Sequence, residues 1–278
     1  MAKLISYEKK DTRIHALSGF TKLVFFIVWC MTSALTYDTR VLILMLLMGF
    51  FIYRISKTWW KQVSTVFKAV IFFMIVNLIC IFFFAPYQGC EIYKSRTDLI
   101  HLFGNYNITA EQLFYEFNVM IKYFTVIPTV FIFLVTTDPS ELAASMNGVG
   151  IPYTISYSLA LALRYIPDLQ GDFRKIRNAQ EARGIEMSSK AGLVERIKRN
   201  GSIISPLLFS SMDRIDVVTN AMELRGFGKK KRRTWYSRRK LTSFDIGVLI
   251  FIFIFSAAAL IFTYQDGSRF YNPFVTLP

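Results

Sequence analysis

The stretch KKKRRTWYSRRKLTSFDIGVLIFIFIFSAAALIFTY, from Lys229 to Tyr264, decides the fold class. Its second part, Phe244 to Tyr264, is apolar apart from Asp245 near its start. That is about the 20 residues a helix needs to cross a hydrocarbon core of roughly 30 Å. Its first part packs Lys229-Lys230-Lys231-Arg232-Arg233 and Arg238-Arg239-Lys240 just ahead of the span. Basic residues at a span's end stay on the cytosolic side. Such a run also suits anionic lipid or nucleic acid. No nucleic-acid-reading fold accompanies it, so its place before the span assigns it to orientation, and no nucleic-acid partner is expected.

Working outward, four more segments have the length and apolarity to cross. They run from about Phe20 to Tyr37, from about Thr39 to Ile55, from Ala69 to Ala85, and within Leu113 to Thr137. The tight Tyr37-Asp38-Thr39-Arg40 link makes a hairpin of the first two, and Lys22 is placed to snorkel from its span end. Over 278 residues the chain is 53% hydrophobic with 27 Phe, and the excess lies in these runs. The expected fold is an all-α polytopic membrane protein with about five transmembrane helices and a cytosolic helical region.

Residues 138–243 carry 19 of the 33 basic residues but only 10 of the 19 acidic ones, which concentrates the net charge of +14 there. Lys3, Lys9, Lys10 and Arg13 precede the first span, and Arg54, Lys57 and Lys61 follow the second. The 87–110 loop has only Lys94 and Arg96, and the tail after Tyr264 only Arg269. The positive-inside rule then places the N-terminus and residues 138–243 in the cytosol and the C-terminus outside. The chain divides into 1–137 (arm and four spans), 138–243 (cytosolic helices) and 244–278 (last span and outer tail). No cleavable signal peptide is expected, since the first 20 residues lack an apolar core.

Within 138–243, Pro139, Pro152, Pro167 and Pro206 read as punctuation, and Gly148, Gly150, Gly184 and Gly226 as turns or ends. Tyr153 to Leu163 and Ile203 to Met212 are apolar but too short to span, so they read as packed or interfacial helices. One heptapeptide occurs twice here, 42 residues apart. Ala179-Gln180-Glu181-Ala182-Arg183-Gly184-Ile185 and Ala221-Met222-Glu223-Leu224-Arg225-Gly226-Phe227 both read A-x-E-x-R-G-apolar. Arginine near a helix C-terminus suits its negative end. Glycine next supplies the left-handed cap, and the apolar residue folds back on the helix. Either copy alone describes a well-capped helix. Two copies suggest a docking element addressed to a partner that also comes in two copies, with arginine suited to bidentate capture of carboxylates.

Other chemistry is sparse. Cys30 and Cys80 lie in apolar runs and read as small buried hydrophobes. Cys90 lies in a polar loop. His15 and His101 read as surface residues and form no metal-ligand cluster with each other. Lys122 falls either inside the fourth span, where charge is costly and often functional, or near its outer interface. There is no Walker A sequence and no nucleophile–base pair, so neither ATP hydrolysis nor a cofactor is expected of the chain itself.

At these residues the chain resembles the T component of energy-coupling factor (ECF) vitamin and metal importers, the CbiQ-like transmembrane protein family. The resemblance covers nearly the whole chain. It includes Ile14-His15-Ala16-Leu17 with Thr21-Lys22-Leu23, Asp138-Pro139-Ser140-Glu141-Leu142 followed by Gly150-Ile151-Pro152, Leu163-Arg164-Tyr165-Ile166-Pro167, and both Arg-Gly motifs. It implies a non-catalytic subunit whose paired Ala-Arg-Gly signatures close two coupling helices that dock on two ABC-type ATPases. A membrane-embedded S component would bind the substrate. By that likeness Ala182, Arg183, Gly184, Leu224, Arg225 and Gly226 would dock the ATPases, supported by Ala179, Glu181, Ala221 and Glu223. Leu224 departs from the family's usual alanine. A membrane anchor or receptor without transport is the alternative of another class.

Overall fold

A computed structural model of the chain describes residues 12–56, 60–103, 106–184, 193–229, 234–236, 239–265 and 267–274. Two compact units result, one of residues 1–141 with 239–278, the other of residues 142–238. In chain order the elements are α1 (Arg13–Ala16), α2 (Gly19–Leu35), α3 (Thr39–Ser56), α4 (Trp60–Phe84), α5 (Gln88–Tyr93), β1 (Asp98–Phe103), β2 (Tyr106–Thr109), α6 (Ala110–Thr136), α7 (Pro139–Gly148), α8 (Tyr153–Ala182), α9 (Leu193–Leu224) and α10 (Ser243–Tyr264). Thr39–Ser56, Ser64–Phe84, Ala110–Thr136 and Ser243–Tyr264 are long and apolar enough to cross a membrane, and Gly19–Leu35 is a shorter apolar helix of the same kind. The all-α polytopic architecture expected from the sequence is therefore present.

In the first unit α2, α3, α6 and α10 form a bundle around Trp29, Val41, Met45, Ile252 and Ala259. The Trp29 indole donates to the Thr125 carbonyl at 3.2 Å. Because lipid tails are as apolar as leucine, helices in a membrane gain specificity from small residues and polar side chains at their contacts. Thr32 with Ser256 (2.5 Å) and Thr36 with Thr263 (2.7 Å) join α2 to α10. The Thr39 hydroxyl donates to Asn118 at 2.7 Å and joins α3 to α6. These groups are invisible to a hydropathy reading, which registers them only as interruptions.

The helix α4 packs one face on α6, through Val66, Phe67 and Val70 beside Ile127 and Phe131. Its remaining surface, including Phe72, Phe73, Ile79 and Phe84, is open. Cys80 lies on that open surface and Cys30 is half-buried, so neither is the buried filler the sequence suggested. A helix with so many exposed large side chains has much of its circumference left for lipid or another protein.

Between α4 and α6 the sequence shows only a loop, yet its described residues form α5 and the antiparallel pair β1–β2. Glu111, fully buried at the start of α6, accepts from the Thr97 amide at 3.0 Å and from the Ser95 and Thr97 hydroxyls at 3.0 Å. A carboxylate there also suits the positive end of the helix dipole. Gly89 lies so close to the Glu111 and Gln112 backbone that a Cβ would collide with it, and its amide donates to Gln112 at 2.9 Å. Burial of the Tyr93 ring in α5 pushes its hydroxyl up to about 12.

The two points where the chain leaves and rejoins this unit are tied together. Glu141 is buried, accepts from the Gly19 amide at 2.8 Å and lies 3.5 Å from the Arg239 guanidinium. Asp245, at the start of α10, accepts from the Ser18 amide at 2.8 Å, while its other oxygen closes a capping box with Thr242. Lys22 does not snorkel: it is buried, and its ammonium donates to the Thr136 carbonyl at 2.8 Å and to the His15 carbonyl at 3.4 Å. His15 is buried too, with Nδ1 2.6 Å from the Thr12 hydroxyl, and not a surface residue. Amphipathicity alone could not reveal this, because the Gly19–Glu141, Lys22–Thr136 and Ser18–Asp245 contacts each pair groups more than a hundred residues apart.

In the second unit α8 and α9 are long helices that continue through Pro167 and Pro206, which the sequence reading took as breaks. An internal proline removes one hydrogen bond and costs about 3 kcal/mol. On α8 an apolar stripe stays in register across Pro167, and on α9 a matching stripe follows Pro206. Leu161, Tyr165 and Leu169 on α8 line one groove with Ile215, Val218 and Met222 on α9. Spacings of three and four keep such residues on one helix face.

Candidate functional site

Each copy of the repeated heptapeptide ends one of these two helices. Gly184 has φ 82° and Gly226 has φ 68°, the left-handed region that glycine occupies without the Cβ penalty. The Gly226 amide donates to the Glu223 carbonyl at 2.8 Å, and the Phe227 amide to Met222 at 2.9 Å. That pair of bonds is a Schellman closure. At the first copy the Gly184 amide donates to Glu181 at 3.0 Å, and Arg183 is the C-cap residue. Ile185 lies outside the described residues.

The closure fixes where the side chains go. Ala179, Glu181, Ala182, Arg183 and Gly184 are exposed, as are Ala221, Glu223, Leu224 and Arg225; Gly226 is partly covered. Leu224 is 90% exposed, an unusual position for a leucine at the end of an ordered helix. Glu181 is held by Arg177 one turn back at 2.9 Å. The matching position before Glu223 is Thr219, so the second tip lacks that internal ion pair. Phe227 is anchored instead, with its ring 4.9 Å from Tyr157 and 5.8 Å from Tyr153. Trp235 closes the cluster 5.1 Å from Tyr153, and its indole donates to Asn147 at 3.1 Å.

Because Phe227, past the end of α9, lies on residues at the start of α8, the two helices run antiparallel. Near the middle, the Arg214 guanidinium meets the Asp172 carboxylate at 2.5 Å. The hydrogen bond from Arg214, with Lys175 beside it, holds the Asp172 carboxyl below the usual carboxylate range. Asp172 and Arg214 are 42 residues apart, the same offset that relates the two motifs. A residue touching its own repeat mate marks a local two-fold axis, the geometry of an isologous contact. Eleven residues lead from Asp172 to Arg183 and eleven from Arg214 to Arg225. At 1.5 Å per residue each tip lies roughly 16 Å from the axis, in opposite directions, so the two arginines are roughly 33 Å apart.

The motifs are thus not brought together into one pocket. They are two separate tips, related by a pseudo-two-fold axis and held apart by a packed helical hairpin. The sequence reading missed the Asp172–Arg214 pair because its two partners carry opposite charges and so break the repeat. It also missed that the repeat is one residue longer, since Asn178 and Asn220 precede the two alanines.

The CbiQ family, described as cobalt transport protein, matches residues 10–236 of this chain. The chain belongs to that family. Curated proteins named "Energy-coupling factor transporter transmembrane protein EcfT" are also similar to it. The one from Leuconostoc gelidum subsp. gasicomitatum is 28% identical over 211 residues, covering 72% of this chain and 74% of its own. The one from Exiguobacterium sibiricum is 25% identical over 262 residues, covering 91% and 95%. The one from Streptococcus equi subsp. equi is 25% identical over 280 residues, covering 97% and 99%. The CbiQ match takes in both Arg-Gly tips and the helices that carry them. As a CbiQ-family member with several apolar helices of spanning length, the chain is a multi-pass membrane protein of a transport family.

Proposed function

We propose that this chain is the transmembrane coupling (T) subunit of an ECF-type ABC importer. In this reading it passes the motion of two ATPase subunits to a membrane-embedded S component that takes up a vitamin or metal ion. The observation that carries the proposal is the pair of exposed Arg-Gly tips related by a pseudo-two-fold axis. One chain presenting two like tips roughly 33 Å apart suits a partner with two like grooves. Arg183 and Arg225 would enter those grooves, each beside its own apolar or small neighbour, Ala182 or Leu224. The family and the named relatives support the same reading.

The division of labour follows. ATP hydrolysis belongs to the ATPases and solute recognition to the S component, so the chain itself is non-catalytic and takes no cofactor. Residues 1–137 and 244–278 form the membrane part, and residues 138–243 with the N-terminus face the cytosol, an orientation that the basic asymmetry of the loops supports. Affinity purification of the tagged chain from its own cells tests this. Two nucleotide-binding subunits, or two copies of one, and a small membrane protein should co-purify. Recovery of a different cytosolic partner with no ATPase would favour an anchor or receptor role.

A further inference from the structure

Two cations at the end of the bundle that carries the α2–α3 link are unused by the docking account. Lys122 lies in α6, about three turns after its start. Its ammonium is 3.2 Å from the centre of the Tyr37 ring and donates to the Ala34 carbonyl, in the last turn of α2, at 2.9 Å. The Arg269 guanidinium is 5.5 Å from the centre of the same ring. The nearby carboxylate is already engaged, since Asp38 is bound by Arg40 through two oxygens at 3.1 and 2.9 Å. Among the described residues neither Lys122 nor Arg269 has an acidic partner. Aromatic and carbonyl contacts orient a cation, but they do not neutralise it.

A groove of about 460 Å³ runs from this point along α6, between α2 and α4. Five valines, from Val66 to Val130, line it together with the rings of Tyr37, Tyr123 and Phe131 and the small side chains of Cys30 and Ser33, and among the described residues Lys122 is its one charged group. Mostly apolar walls with one cation among them match an aliphatic chain with an anionic head. A polar solute would leave its own groups unpaired against these valines.

We propose that this groove binds one acyl chain of an anionic phospholipid, whose phosphate is held by Lys122 and Arg269 across Tyr37. The site is independent of the docking tips and stands whether or not the chain couples ATPases.

The test is native mass spectrometry of the full chain purified in mild detergent and incubated with equimolar phosphatidylglycerol and phosphatidylcholine. The wild type should retain phosphatidylglycerol over phosphatidylcholine by about tenfold to thirtyfold, the factor two basic groups at a membrane surface supply. Lys122→Gln with Arg269→Gln should bring the ratio near one, and Lys122→Arg should restore most of it. Val130→Trp, which fills the groove and leaves the cations, should lower retention of both lipids. Millimolar inorganic phosphate should not displace the lipid. Equal retention of both lipids by the wild type, an unchanged preference in the double variant, or displacement by free phosphate would overturn the proposal. So would loss of a co-purifying membrane subunit from the double variant with no change in lipid, since the cations would then serve a protein carboxylate.

Discussion

Asp245→Ala should be among the most damaging single substitutions in the membrane unit. Asp245 is fully buried and accepts from the Ser18 amide at 2.8 Å and from the Thr242 amide and hydroxyl at 2.8 and 2.7 Å. The Thr242 amide can turn to water once the carboxylate is gone, so its loss counts as a lost cap, about 1 kcal/mol. The Ser18 amide cannot, because Ser18 is buried, and a stranded buried donor costs about 1–3 kcal/mol. The sum is about 2–4 kcal/mol, against about 1 kcal/mol for Thr242→Ala, which removes the cap and leaves the Ser18 contact. At about 2–4 °C per kcal/mol for a chain of this size, the midpoint should fall roughly 5–15 °C for Asp245→Ala. For Thr242→Ala the fall should be roughly 2–4 °C on the same scale. Thermal unfolding in detergent, followed by the loss of helical circular dichroism, reads both. Equal falls for the two variants would mean that the 2.8 Å bond joining the starts of α2 and α10 contributes nothing.

Further outcomes follow from the same geometry. Gly226→Ala forces a Cβ into φ 68° and should destabilise the α9 tip by about 1–2 kcal/mol, seen as faster amide exchange at residues 222–227. Gly89→Ala drives a Cβ into the Glu111 backbone and should lower the midpoint, whereas Gly171→Ala, where a Cβ meets open space, should not. Asp172→Arg and Arg214→Asp should each loosen the α8–α9 hairpin, and the double exchange should recover most of the loss. Because Arg214 depresses the Asp172 carboxyl, the pair's contribution is present above the unfolded carboxylate range and fades below about pH 4. Hairpin protection that is indifferent to acid, or a double exchange no better than the singles, would rule the pair out as the crossing point.

The sequence made the membrane segments legible because hydropathy is additive along the chain, and α3 and α10 match the expected segments to within a residue or two. It also made the helix ends legible, since glycine after arginine signals a left-handed cap whatever the surroundings. What it hid depends on pairing. Lys22, His15, Glu141 and Asp245 look like ordinary polar residues until α2, α6 and α10 come together and bury them. Pro167 looks like a break because a local rule cannot weigh one lost hydrogen bond against a packed stripe that continues beyond it. The β1–β2 pair escaped because its strands are short and its alternation of apolar and polar residues is weak. At the tips, the motif was readable from sequence, but the two-fold relation was not, since it appears only when Asp172 and Arg214 are seen to touch.

The most direct test of the coupling account is ATPase retention by the Arg183→Glu, Arg225→Glu double variant. Wild type and variant would be co-expressed with the ATPase subunits that co-purify with the native chain, pulled down through a tag on the chain, and the ATPase-to-chain ratio measured. If the tips seat in carboxylate-lined grooves, as proposed, a glutamate there should cost several kcal/mol, about 3–5 for an unpaired buried charge. The wild type should therefore hold two ATPase subunits per chain, each single variant should be weakened, and the double variant should hold almost none while still inserting in the membrane. Two ATPases per chain on the double variant, with normal uptake, would contradict the claim that these tips are where the chain meets its motor.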